Sequence, residues 1–417
     1  MEQLSFTFES LNSALDILAS FWWIYSPFLL FFGLTAAFQT YTRTKYIQSL
    51  KWTLLEFRIP KEIRKSPKST EQIFNALHGV FIPLKWHEKF FQGRVIDWFS
   101  FEIIGSGGEI HFYIRTPEAY KKLVQSQVYA QYPDTEIKEV AEENDYITNL
   151  SSFLPNDKND IWGAELVLSK EDAFPIRTYP EFEEVAVGRE DVKRVDPMAS
   201  LAEVLSSLQY GEFIGIQLLI RPTGDAWIKK GQAAVDKIMG KEVKSKPDFM
   251  SKLIFALDEF IPGHVPSTQK EEKRESSQLT PGKQDILKAM EKSFAKLGFE
   301  SGIRFVYTAS KEVFHRAHIS GVMGAYKQFT SQSLNGFRMN IKTAPLARWP
   351  FKKQKIFNKK RILWKKFRKR MMTVRPFVLN VEELATIFHF PDFGVEAPLL
   401  PRVETKKGEP PVGLPIS

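Results

Sequence analysis

The 417-residue chain contains no cysteine. Disulfide bonds, thiolate metal sites and cysteine nucleophiles are therefore all excluded. The sequence also lacks the G-x-x-x-x-G-K-[S/T] phosphate loop, and its seven histidines never form the H-E-x-x-H pattern of zinc enzymes. We therefore predict no cofactor and no metal, and a binding role rather than catalysis. A hydrolase whose catalytic groups meet only in the folded chain stays open as an alternative, because triads converge from distant positions.

Charged side chains are missing from residues 17–38, ILASFWWIYSPFLLFFGLTAAF. As a helix this stretch reaches about 33 Å, and a bilayer hydrocarbon core is about 30 Å thick. Acidic residues precede it and basic residues follow it, which places the N-terminus outside and the bulk of the chain in the cytoplasm. We therefore predict a single-pass protein of the inner (cytoplasmic) membrane; a buried core helix is the alternative. The anchor residues are Trp22, Trp23, Tyr25, Pro27, Phe31 and Phe32.

After the N-terminal segment 1–48, hydrophobic periodicity predicts the order strand, helix, strand, strand, helix, strand, and predicts it twice. The first unit covers residues 49–150 and the second covers 155–345, with a helical insertion at 223–299. This βαββαβ order is typical of the ferredoxin-like fold. The predicted fold class is therefore α+β: a transmembrane helix followed by two tandem ferredoxin-like units.

Acidic side chains are missing from Lys352–Arg375, which holds twelve of the 58 lysines and arginines. Apolar residues recur there at helical spacing, so segment 346–380 is predicted to be basic and amphipathic. Three interpretations stay open: the helix lies on anionic lipid, it contacts nucleic acid with Trp364 stacking on bases, or its apolar side packs on its own domain. The candidate patch for lipid or nucleic acid is Lys352, Lys353, Lys355, Lys359, Lys360, Arg361, Trp364, Lys365, Lys366, Arg368, Lys369 and Arg370.

The C-terminal segment 381–417 combines a short predicted helix with a proline-rich tail. Residues 379–391 read LNVEELATIFHFP, and prolines follow at 398, 401, 410, 411 and 415. Together with the predicted membrane helix and the doubled α+β unit, this run resembles the region that precedes the ATPase domain in bacterial type IV secretion and conjugative DNA-transfer ATPases.

The resemblance implies a non-catalytic accessory or assembly domain of such an export system. Because the sequence contains no P-loop, we expect a P-loop ATPase to be a separate partner that docks in trans. The residues implied for docking are Glu382, Glu383, Leu384, Phe388, His389, Phe390 and Pro391. Membrane lipid, a second copy of the chain and DNA are the other expected partners.

Overall fold

The computed structural model describes residues 20–60, 65–182, 196–240, 280–391 and 402–403. The described helices are α1 (Trp22–Ser49), α2 (Lys68–His78), α3 (Trp86–Phe90), α4 (Lys121–Gln131), α5 (Ala199–Ser206), α6 (Ala226–Ile238), α7 (Pro281–Phe294), α8 (Arg316–Lys327), α9 (Lys352–Arg368) and α10 (Val381–Ile387). The strands are β1 (Trp52–Pro60), β2 (Phe99–Ser106), β3 (Glu109–Pro117), β4 (Glu136–Val140), β5 (Asn159–Leu168), β6 (Phe213–Pro222), β7 (Gly298–Ser310), β8 (Phe337–Met339), β9 (Phe377–Asn380) and β10 (Arg402–Val403).

The chain divides into two compact units. One contains Met1–Trp52 and Ile82–Asp97, and the other contains Thr53–Phe81 and Trp98–Ser417. Within the first unit, the ring of Phe38 on α1 lies 6.0 Å from the ring of Phe90 and 6.5 Å from that of Phe91. Gly93 has φ +64 and sits against the backbone of Thr42 so closely that any Cβ would clash.

Residues 22–38 of the predicted membrane anchor lie in α1, residues 20 and 21 directly precede it, and residues 17–19 are outside the described residues. In the ranges given above, no helix combines enough length with enough apolar character to cross a membrane, so the predicted span is not supported. The apolar run of α1 is interrupted by Ser26, Pro27 and Thr35. Five of the six anchor side chains are exposed, namely Trp22, Trp23, Pro27, Phe31 and Phe32; Tyr25 lies in α1 with its side chain outside the description.

In the second unit, nine strands form one mostly antiparallel sheet, so the α+β class is confirmed. The strand order is β4-β1-β3-β2-β6-β7-β5-β8, with β9 paired to the part of β7 that β5 leaves free. The two-residue strand β10 pairs in parallel with the end of β1. Strands β1–β4 form one half of the sheet and strands β5–β8 form the other. From the outer edge inward, the first half has the order β4-β1-β3-β2 and the second half has the equivalent order β8-β5-β7-β6. The halves are joined by the pairing of β2 with β6.

Each face of the sheet carries its own apolar layer, because successive strand residues point to opposite sides. The larger layer lies between the sheet and helices α2, α4, α5, α8 and α10; it contains Leu55, Ile103 and Phe305. The neighbouring residues Leu54, Ile104 and Val306 belong to a smaller layer on the other face, which α9 covers. The long insertion begins and ends with α6 and α7, as predicted, and these helices meet through Trp227 and Phe294.

Candidate functional site: the basic helix α9 and the polar row beneath it

Helix α9 turns its apolar side toward the sheet. Leu363, Trp364 and Phe367 are buried, and the indole Nε1 of Trp364 donates a hydrogen bond to the carbonyl oxygen of Ser151 at 3.1 Å. Phe367 packs directly over β6, where a Cβ on Gly215 would lie only 2.3 Å from the ring. The apolar stripe is therefore used for packing within the domain. This corrects one prediction: Trp364 is 2% exposed and is not available to stack on a base.

Beneath α9, four polar side chains form a row across the centre of the sheet. Glu102 on β2 is in register with Gln217 on β6, which is in register with Arg304 on β7, which is in register with Glu165 on β5. Gln217 donates to Glu102 at 3.3 Å and accepts from Arg304 at 3.4 Å, while Arg304 donates to Glu165 at 2.9 Å. All four are buried, so we call them the buried polar row.

The C-terminal end of α9 is tied to the buried polar row through backbone and side chains. Arg304 donates to the carbonyl oxygens of Lys366 and Met371 at 3.0 and 2.9 Å, and Gln217 donates to that of Phe367 at 3.1 Å. The carbonyls of Lys366 and Phe367 lie in the last turn of α9, where carbonyl oxygens carry partial negative charge. The guanidinium of Arg304 therefore compensates both a carboxylate and a helix terminus. Burial lowers the pKa of Arg304, and the charge of Glu165 opposes that effect.

Arg370 closes the row at its other end. Its φ of 48 turns the chain just after α9, and its guanidinium forms ion pairs with Glu102 at 2.7 Å and Asp145 at 2.6 Å. Burial alone would lower the pKa of Arg370, but the charge of Glu102 and hydrogen bonds to both carboxylates raise it well above its ordinary value. Tyr146 donates to Glu102 at 2.6 Å, and burial together with that carboxylate raises its pKa. This end of α9 is therefore fixed by charge-assisted hydrogen bonds.

The predicted basic patch divides into two groups. In the inner group, Lys360 pairs with Asp160, Lys366 with Glu165, and Arg370 with Glu102 and Asp145, while Lys359 and Arg368 donate to backbone carbonyls. The outer group is exposed, and no acidic side chain within the described ranges forms an ion pair with any of its members. The outer group is Lys352, Lys353, Lys355, Arg361, Lys365 and Lys369.

Beside the outer group, α9 and the loop 147–154 border a cavity of about 780 Å³. Arg361, Lys365 and Lys369 contribute cations to its lining, and Phe153 and Ile362 contribute apolar surface. Phe153 is 72% exposed and Ile362 is 55% exposed, which is unusual for such large apolar groups next to a packed layer. The site combines positive charge with accessible apolar surface, so it suits an anionic ligand that also has an apolar part.

The predicted docking residues have a different environment from the one expected. Glu382, Glu383, Leu384, Phe388, His389 and Phe390 are buried among residues of this chain, and Pro391 is buried too. Glu382 accepts from Thr178 at 2.6 Å and pairs with Lys296, while His389 lies 2.9 Å from Asp196. A partner could reach these side chains only if α10 left the core, because the same atoms already hold α10 in place.

The second glutamate of α10, Glu383, caps the N-terminus of the helix. Asn380 accepts from the backbone N–H of Glu383 at 2.9 Å, and the Glu383 carboxylate accepts from the N–H of Asn380 at 2.8 Å, which completes a capping box. Glu383 also accepts from the N–H of Ile176 at 2.8 Å. Burial raises the pKa of Glu383 to about 8. The residues before Val381 form the short strand β9 rather than the start of the helix, because Phe377–Asn380 completes the edge of β7.

Sequence reasoning did not select the members of the buried polar row. Each of them, however, is a charged or amide residue with apolar residues on both sides in a largely apolar strand: FSFEIIGS, FIGIQLLIRP, GIRFVYTA and GAELVL. Such a residue must find a partner when it is buried. Four such positions, one on each central strand, are therefore the signal that could have predicted a shared network on one face of the sheet.

Among the described residues, the fold and site define an α+β protein with a mostly antiparallel sheet, one face of which is covered by a basic helix over a buried ionic network. The chain belongs to the family described as Domain of unknown function (DUF8128), which it matches over residues 44–399. No curated protein matches the chain.

Proposed function

We propose that this chain is a membrane-attached, non-catalytic accessory or assembly protein of a bacterial export or conjugation system, which works with a P-loop ATPase supplied by another polypeptide. The observation that carries the proposal is the apolar surface of α1. The exposed large apolar side chains in its first half are Trp22, Trp23, Ile24, Phe28, Leu29, Leu30, Phe31, Phe32 and Leu34.

These side chains surround α1 instead of forming one stripe, so packing of one face against a protein surface would leave the others in water. Each Å² of apolar surface removed from water contributes about 25 cal/mol, and exposed apolar patches beyond a few hundred Å² mark membrane or partner contacts. Arg43 and Lys45 follow the apolar part of α1. Lipid surrounds a helix on all sides and meets basic residues at its anionic surface, which supports attachment to the cytoplasmic membrane.

The scaffold part of the proposal is that the two halves of the sheet are two ferredoxin-like units. The support is the strand order, which is β4-β1-β3-β2 in one half and β8-β5-β7-β6 in the other, with antiparallel neighbours. A βαββαβ chain produces this order. Such units host many unrelated activities, so the fold alone does not assign one. The export role rests on the resemblance of residues 379–391 and the proline-rich tail to the region preceding the ATPase domain in type IV secretion and conjugation ATPases.

Membrane attachment is tested by fractionating cells that express the tagged full chain. We expect the protein in the membrane fraction after a high-salt wash, and extraction at alkaline pH distinguishes insertion from surface binding. The variant F28N/L30N/F31N should move to the soluble fraction. The control I82N/Y129N/Y210N changes three other exposed apolar residues and should stay with the membrane. A wild-type protein that is soluble without detergent contradicts the proposal.

A partner ATPase is tested by co-purification with the full chain. Because residues 381–391 belong to the core, deleting them would disturb the fold and give an uninterpretable loss of partner. A truncation after Val403 leaves the described fold intact and removes only the rest of the proline-rich tail. We expect a P-loop ATPase to co-purify with the full chain and to be lost on this truncation. The same partners with and without the tail would contradict docking through it.

A membrane-tethered nucleic-acid binder is the second candidate, and the outer group of exposed cations favours it. Contacts with phosphates make such binding strongly salt-dependent. The test is a mobility shift at low salt with single- and double-stranded DNA, comparing wild type with K352E/K353E/R361E/K365E. These positions avoid Lys360 and Lys366, whose ion pairs stabilise the fold. No shift by the wild type excludes this candidate.

A further inference from the structure

The cavity between α9 and the loop 147–154 combines two features that the fold does not use. The first is a set of cations, Arg361, Lys365 and Lys369, without ion-pair partners among the described residues. The second is exposed apolar surface from Phe153 and Ile362. We propose that this cavity binds the phosphate headgroup of an anionic phospholipid, while Phe153 and Ile362 enter the apolar part of the bilayer.

The charge pattern around the cavity is one-sided over a long stretch of chain. Between Glu312 and Glu382 the sequence contains 17 lysines and arginines and no aspartate or glutamate. A basic residue near an anionic leaflet strengthens binding about 5-fold, and clusters of them act together. Within the inner group, Lys360, Lys366 and Arg370 are paired with carboxylates, so the outer group supplies most of the attraction for an external anion.

The exposed apolar residues distinguish lipid from nucleic acid. In the chain before and after α9, the aliphatic side chains of Ile341, Leu346 and Val374 are exposed, and Ile362 is exposed on the helix itself. Aliphatic groups have no π face on which a base can stack, whereas they partition readily among acyl chains. Trp349 and Phe351, just before α9, are exposed as well, and aromatic residues beside lysines are typical of membrane interfaces.

This proposal goes beyond membrane attachment by α1 and can fail separately from it. The helix α1 needs only an apolar environment, while the cavity of α9 requires an anionic headgroup. A probe placed at the cavity therefore reports on α9 whether or not α1 enters the bilayer. The absence of cysteine makes such a probe practical, because one introduced cysteine is the only labelling site.

The experiment uses the full chain with Ile362→Cys carrying an environment-sensitive fluorophore. It is mixed with vesicles of phosphatidylcholine, with or without phosphatidylglycerol, that contain lipids brominated on their acyl chains. We expect a blue shift and quenching only when phosphatidylglycerol is present. A label at Tyr210→Cys, in an exposed turn before β6, should stay in water in both cases. The variant R361Q/K365Q should lower the ratio of inserted to aqueous label about 25-fold.

The matched control K283Q/K288Q removes two exposed lysines from α7 and should leave that ratio unchanged. Equal quenching with and without phosphatidylglycerol, or none with either, overturns the proposal. So does a change in the label that inorganic phosphate alone or a single-stranded oligonucleotide produces without vesicles, since the ligand would then be free phosphate or nucleic acid. Salt should release the label from the bilayer, because exposed charges are screened beyond about 10 Å at 0.1 M ionic strength.

Discussion

Arg304 of β7 lies directly opposite Glu165 of β5, and its Nη2 donates to a Glu165 carboxylate oxygen at 2.9 Å with neither side chain reaching solvent. This pair is the centre of the buried polar row. It also fixes the C-terminal end of α9, since Arg304 donates to two carbonyls there. The exposed cations of α9 therefore lie on a helix whose C-terminal end is held to the sheet by the buried ion pair.

The first prediction concerns this ion pair. Glu165→Gln keeps the shape of the side chain but leaves the buried guanidinium of Arg304 without its carboxylate, and Lys366 loses its partner as well. Removing one member of a buried pair costs about 3–5 kcal/mol. We expect a loss of that size in the free energy of unfolding, measured by urea titration of the full chain.

The matched control for this prediction is Glu139→Gln, which removes a glutamate from the largely exposed pair with Lys121. Exposed pairs contribute about 0–1 kcal/mol. If Glu165→Gln and Glu139→Gln had the same small effect, the buried polar row would not be an energetic feature of the fold.

The second prediction concerns the contact between α9 and β6. Gly215→Ala places a Cβ about where the ring of Phe367 lies, 2.3 Å from its Cζ. Overpacking of this kind costs about 1–3 kcal/mol. The double variant G215A/F367L should recover part of that loss, because the smaller side chain makes room for the methyl group. The effect is measured as the free energy of unfolding.

Gly324→Ala provides the comparison, because nothing lies within 4 Å of a Cβ at this position of α8. Alanine is favoured over glycine in a helix by about 1 kcal/mol, so this variant should be at least as stable as the wild type. A G215A variant that behaved like G324A would show that α9 does not sit on β6 as described.

Local patterns in the sequence predicted the elements of the sheet well. The alternation in residues 52–60 and the apolar runs of β2, β6 and β7 are direct consequences of burial on one or both faces. The sequence does not predict that β2 pairs with β6 and so joins the two halves of the sheet. Both strands are largely apolar on both faces, so many registers would bury them equally well.

The candidate site was predicted only in part. The charge of α9 is visible in the sequence, but which lysines face inward depends on Asp160, Glu165 and Glu102, which come from distant strands. The opposite error occurred at α10. Its two glutamates and histidine look like surface residues, yet all three have partners inside the core. Glu382 pairs with Thr178 and Lys296, Glu383 accepts from the N–H groups of Asn380 and Ile176, and His389 lies against Asp196. Sequence spacing carries no information about such long-range partners.

The third prediction concerns Trp364. Trp364→Phe removes the hydrogen bond that Nε1 donates to the carbonyl oxygen of Ser151, while most of the apolar contact remains. A hydrogen bond of this type contributes about 0.5–1.5 kcal/mol. We expect the free energy of unfolding to fall by that amount, and the exposed control Trp349→Phe to change it by less than about 0.5 kcal/mol. An effect of Trp364→Phe on DNA mobility at unchanged stability would mean that the indole contacts DNA directly.

The last prediction concerns pH and the cap of α10. Burial raises the pKa of Glu383 from 4.5 to about 8. In the unfolded chain this carboxyl loses its proton near 4.5, while in the folded chain it keeps the proton until about 8. The folded state therefore binds more protons across this window, so its stability is highest below the window and decreases as pH rises, by at most about 1.4 kcal/mol per pH unit.

Glu383→Gln should remove this pH dependence, because its side chain stays neutral throughout. The neighbouring Glu382 should show a pH dependence of stability with the opposite sign. Burial raises its pKa, but the hydrogen bonds from Lys296 and Thr178 and the charge of Lys296 outweigh burial, so its pKa lies below 4.5. Glu382 therefore stabilises the fold above 4.5, and that stabilisation is lost as pH falls. Urea unfolding at a series of pH values between about 5 and 8 should show a slope in the difference between wild type and E383Q, but not in that between wild type and E382Q. A flat difference for E383Q would mean that Glu383 is already ionised inside the fold.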